Sequence, residues 1–141
     1  MATYNKFQDF VEQILKAVHD LDGTHTIKVF LTNTAPAASD TVFDPGGAHP
    51  PPAAANGYAT ATTTPTLSES SGTAKLVLSD VTFTASSGQI GPFRYVGVYN
   101  DTAVSDNLVG GYYDYGSSLT LEDTETFTVD FHATNGFFTI A

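Results

Sequence analysis

Cysteine is absent from this 141-residue sequence, so neither a disulfide nor a thiolate metal site can staple the fold, and stability must come from packing. Positive charge is scarce. Four lysines and one arginine stand against fifteen acidic residues, a net charge of −10 at pH 7, which argues against a phosphate-binding surface and so against nucleic acid as a partner. No apolar run approaches the roughly 18 residues needed to cross a bilayer. The N-terminal Met-Ala-Thr-Tyr-Asn-Lys-Phe lacks the basic-then-apolar layout of a signal peptide. The expectation is a single domain, residues 1–141, made and released in a cytoplasm, with no membrane partner.

The stretch from Ile90 to Asp101 organises the rest. On an extended backbone Phe93, Tyr95 and Tyr99 fall on one side and Val96 and Val98 on the other, which predicts a central strand buried on both faces. Phe93, Arg94, Tyr95, Val96, Val98 and Tyr99 are therefore expected in the structural core. Arg94 is the only arginine, and inside an apolar run it needs a carboxylate or carbonyl partner; Asp114, Asp130 and a neighbouring chain are the candidates.

Phe7, Phe10, Val11, Ile14, Leu15, Val18 and Leu21 recur at spacings of three and four, predicting an amphipathic helix over 5–21 with Asn5 as its cap and Gly23 as its stop. Residues 24–33 alternate as a half-buried strand, with Phe30 anomalous on the polar face. Six of the seven prolines fall between Asn33 and Thr66, predicting a long loop or arm over 34–66, with short extended pieces at 40–43 and 57–64. Residues 67–141 read as an antiparallel β core: one bulged strand or two short ones over 74–85, then strands at 108–115, 126–131 and 137–140, the last two joined at the hairpin dipeptide Asn135-Gly136. The fold class expected is mainly β, an antiparallel sandwich or partly open barrel with one N-terminal helix.

Enzyme chemistry finds no foothold. There is no Gly-x-Ser-x-Gly elbow and no phosphate-cradling glycine loop. His19, His25, His49 and His132 lack the spacing of a zinc site, so no metal and no cofactor are expected; His19 is placed at a helix C-terminal turn, where a cation is favoured. Asp20-Leu-Asp22-Gly23 resembles half of a calcium loop without its remaining acids. Glu122, Asp123 and Glu125 read as a solvated tip, and Asn100-Asp101-Thr102 as a turn. Tyr112, Tyr113 and Tyr115 are either strand cover or an aromatic platform for a sugar.

Several phrases, in order along nearly the whole chain, are similar to small virion proteins of tailed bacteriophages: Asn5-Lys-Phe-Gln-Asp-Phe-Val11, Lys28-Val-Phe-Leu-Thr-Asn-Thr-Ala-Pro36, Ser70-Ser-Gly-Thr-Ala-Lys75, Gly91-Pro-Phe-Arg-Tyr-Val96, Tyr99-Asn-Asp-Thr102, Asp114-Tyr-Gly-Ser117 and Phe127-Thr-Val-Asp-Phe131. The chain most resembles a capsid decoration, or cement, protein. The resemblance implies a non-enzymatic virion protein on the capsid surface that binds the major capsid protein lattice, as a homo-oligomer with a trimer favoured. A tail component, tube or terminator, is the alternative, and a carbohydrate-binding β-module on a fibre the second alternative. The expected lattice contacts are Phe43, Pro50, Pro51, Pro52 and Tyr58, together with the outer face of the N-terminal helix; deleting residues 45 to 55 is expected to leave the domain folded.

Overall fold

Strands in this sequence come mostly from β-branched and aromatic runs bounded by turn residues, and pairing them satisfies their backbone donors and acceptors within the chain. The computed structural model describes residues 2–53 and 56–141, and is mainly β. In chain order the elements are β1 (Thr3–Lys6), α1 (Phe10–Leu15), β2 (Ile27–Thr32), β3 (Ala61–Thr63), β4 (Pro65–Ser70), β5 (Thr73–Leu78), β6 (Val81–Thr84), β7 (Ile90–Asn100), β8 (Leu108–Leu121), β9 (Thr126–Val129) and β10 (Phe138–Ile140). All named strand pairs are antiparallel, in sheets ordered β1-β8-β7-β2-β3, β10-β5-β4 and β6-β9.

Strand β7 is the middle of the five-stranded sheet, and Phe93, Tyr95, Val96, Val98 and Tyr99 are all buried. Phe93 leaves the expected alternation. Register shifts flank it on both sides, and its ring meets Phe127 at 5.0 Å, whereas Tyr99 stacks on Phe43 at 4.5 Å. Arg94 is not core: its side chain is half-exposed, because Asp114 on β8 meets it at the sheet surface in a two-pronged pair, Nε to Oδ1 at 2.7 Å and Nη2 to Oδ2 at 2.9 Å. That geometry satisfies the guanidinium without burying it.

The helix is far shorter than 5–21. Asn5 belongs to β1 and pairs with Tyr112, and the amides of Phe7 and Gln8 donate to Gly110 and Ala38, so these residues cannot join a helix. At the other end Ala17 turns left-handed (φ 56°), its amide donating to Ile14 and that of Val18 to Gln13. This pair of bonds closes the last carbonyls and ends the helix at Leu15, with Ala17 in the left-handed position expected of Gly23.

The half-buried strand also differs. In β2 every side chain but Lys28 is buried, because the 34–53 segment folds back over its second face. Phe43 and His49 cover Phe30 at ring distances of 4.5 and 5.3 Å, and Thr32 donates to the Pro50 carbonyl at 2.8 Å. Val42 bridges Asn107. Of the expected 34–66 loop, residues 54 and 55 lie outside the described set; the described remainder packs on the chain's own body and contributes β3.

The region 74–85 resolves into two strands of different sheets, β5 and β6, and β8 runs on to Leu121. Asn135-Gly136 does not make a hairpin, since β9 pairs with β6 while β10 crosses to β5. The turn is instead held by the Gly136 amide on His132 and the Phe137 amide on Leu76. A two-residue turn does join β4 to β5, with Ser71 and Gly72 both at positive φ.

Candidate docking surface

Large apolar side chains left in water cost free energy, and their clustering marks a contact site. Seven are exposed among the described residues: Tyr4, Val11, Leu15, Leu67, Val104, Tyr115 and Ile140. Five of these, all but Val104 and Tyr115, converge on the surface made by β1, α1, β4 and β10. Leu15 is 83% exposed and Val11 48%. Two hollows of about 380 and 390 Å³ indent this surface, and Ile14, Phe138 and Ile140 line both.

The local causes are plain. A six-residue helix buries Phe10 and half-buries Ile14, leaving the adjoining Val11 and Leu15 without cover. Strand β10 is an edge, bonded only to β5, so Ile140 has no neighbour beyond it. Charge differs along the strip, with Lys6 lining one hollow and Asp20 and Asp22 the other.

The residues expected to contact a lattice are not brought together here. Tyr58 is buried, its hydroxyl accepting from the Leu31 amide at 3.0 Å and donating to the Leu31 carbonyl at 3.3 Å. Phe43 is half-buried in the aromatic stack on Phe30 and Tyr99, and Pro52 is buried; only Pro50 and Pro51 are exposed. His49 is fully buried. Its Nδ1 accepts from the Asp44 amide at 3.2 Å, which leaves the proton on Nε2 to be donated to Asp40 at 3.1 Å. Deleting 45 to 55 would therefore strip one face of β2, so it is a folding lesion and no test of contact. Exposed apolar surface collects not on the polar outer face of the helix but at Val11 and Leu15, two residues of its apolar stripe that the short helix leaves uncovered. Ile140 and Leu67 were missed because a terminal edge strand and a hairpin edge look like ordinary half-buried strands in sequence.

Family models, curated proteins and solved structures give no match to this chain.

Several other polar groups are tied up locally, although the buried Nε2 of His19 has no hydrogen-bond partner among the described residues. Asn100 is fully buried and its amide nitrogen donates to Nδ1 of both His19 (3.1 Å) and His25 (2.9 Å), while its carbonyl accepts from the Thr102 and Ala103 amides. His19 is thus not a cation at a helix end: burial first, then the nearby His25, push it down to about 4. Asp22 accepts from the Thr24 amide and hydroxyl, which hold its carboxyl below the usual range. Asp123 accepts from the Ser87 amide at 2.7 Å and Glu125 from the Glu122 amide at 2.8 Å, so these acids tie turns. Among the described residues no three His, Asp or Glu side chains gather as a metal-binding set, and no helix is long and apolar enough to cross a membrane.

Proposed function

We propose that this chain is a virion structural protein of a tailed bacteriophage that decorates the assembled capsid and stabilises it by binding the lattice of the major capsid protein. The observation that carries the reading is the convergence of Tyr4, Val11, Leu15, Leu67 and Ile140 on one surface, in a chain whose phrases resemble small phage virion proteins from Asn5 to Phe131. The scaffold, read as an antiparallel β-sandwich, supplies a stiff platform for that surface. Burying a Leu-class side chain fully contributes about 1.5–3 kcal/mol, and the cost of association offsets much of this, so one copy binds weakly. Copies linked as a homo-oligomer, three at a local threefold position, bind together at high effective concentration. Because the ligand is the assembled lattice and not the free subunit, the binding free energy adds to the stability of the shell.

Co-sedimentation with expanded shells and with free capsid subunits tests this. The chain binds shells and ignores subunits, and Leu15→Asp with Val11→Asp weakens shell binding tenfold or more, as loss of about 1.4 kcal/mol or more requires. Equal binding by the variant refutes the surface. One observation favours a tail component as the second reading: β4 is an edge strand whose residues 66–70 are all exposed, open to pairing with another subunit. That reading requires the purified chain to form rings or stacked discs without shells.

A further inference from the structure

A third hollow, of about 340 Å³, lies beside β9 and is lined by Val96, Tyr113, Phe127 and Val129, with Tyr115, Asp130 and His132 among its outer residues. Tyr115 is 47% exposed and stands edge-on to Phe127 at 6.1 Å, a fixed aromatic wall. Tyr112 takes no part, since it packs against Phe7 and Tyr95. His132 is preset as a donor. Its Nδ1 accepts from the amides of Thr134 (3.2 Å) and Asn135 (3.1 Å), so the ring proton sits on Nε2. Asp130, exposed two positions earlier with buried Phe131 between them, lines the same hollow and offers carboxylate oxygens as acceptors.

We propose that this hollow binds a neutral pyranose sugar, with an apolar ring face against Tyr115 and Tyr113 and hydroxyls shared between the Asp130 carboxylate and His132 Nε2–H. An aromatic wall beside a paired donor and acceptor matches a sugar, whose ring carries C–H groups on its faces and hydroxyls around its edge. The ligand is neutral because Asp130 and the net charge of −10 repel uronates and other acidic sugars. The site is separate from the α1–β10 surface and does not depend on it.

Affinity electrophoresis of the full chain through gels containing a galactan, a glucan or a mannan, with pectate as the acidic control, tests the proposal. At least one neutral polysaccharide retards the chain and pectate does not. Tyr115→Ala and Asp130→Asn each weaken the retardation at least tenfold while the melting temperature and shell co-sedimentation stay unchanged. No retardation by any neutral polysaccharide, equal retardation of the variants, or retardation by pectate alone overturns it. An extended peptide pairing along the open edge of β9, seen as amide shifts confined to that strand, overturns it in favour of strand addition. Failure here with shell binding intact removes the sugar site and leaves the capsid reading standing.

Discussion

Phe30 on β2 lies directly across from Gly97 on β7, and a Cβ added at Gly97 would overlap the Phe30 ring. The glycine is therefore a space for an aromatic side chain on a face that Phe43 and His49 then close. Gly97→Ala should cost about 1–3 kcal/mol by overpacking, read as a lower urea midpoint at unchanged slope. In Phe30→Leu the same substitution should cost clearly less, and strict additivity would contradict the contact.

Ala17 holds a left-handed conformation at the end of α1, where glycine carries no steric penalty. Ala17→Gly should raise stability by about 0.5–1 kcal/mol in urea unfolding. A loss of stability would mean that Ala17 does not end the helix in this way.

Tyr58 joins the segment after the prolines to β2 through both backbone groups of Leu31, and burial pushes its phenol up to about 12. Tyr58→Phe removes the hydroxyl and leaves buried polar groups short of a partner, for an expected cost of about 1–3 kcal/mol. Shell binding by the folded variant should match the parent, since Tyr58 is interior.

His19 makes stability depend on pH. Its folded value of about 4 lies below the ordinary 6.5, so between the two the unfolded chain takes up a proton that the folded chain refuses. Asn100 and His25 present no acceptor to a protonated Nδ1, Phe10 lies against the ring, and only the more distant Asp9 favours the charge. This contribution is complete above pH 6.5 and is lost as pH falls toward 4. The full shift would be about 3 kcal/mol, and partial exposure of the ring reduces it to about 1–2 kcal/mol. His19→Gln keeps an acceptor for Asn100 without titrating, so its stability should fall less between pH 7 and 4 than that of the parent; identical profiles would contradict the assignment.

The β7 strand was legible in the sequence because a run of aromatic and branched residues with apolar side chains on both faces has few other solutions. Its bulges were not, since the slips around Phe93 depend on β8, whose partner residues carry no local signal. The helix was overextended because Phe7 and Leu21 repeat at helical spacing with Phe10 but are buried outside α1: Phe7 directly follows β1 and rests against Tyr112 of β8, and Leu21 lies in the turn before β2. Proline and alanine content suggested a detached arm over 34–66, but the deciding contacts were the His49 imidazole, held by Asp40 and Asp44 within the segment and packed on Phe30, and the Tyr58 hydroxyl, bonded to Leu31 far away in sequence. Of the docking surface, the sequence showed Val11 and Leu15 only as part of an apolar stripe expected to be covered, because a helix of six residues is too short to bury it; the rest needs the β10–β5–β4 pairing, which the hairpin signal at Asn135-Gly136 concealed.

Quantitative mass spectrometry of purified phage particles measures the central claim most directly, as copies of this polypeptide per copy of the major capsid protein. A decoration protein is present at hundreds of copies per head and stays with tailless heads. Absence from the particle, or a handful of copies confined to tails or fibres, would contradict the account.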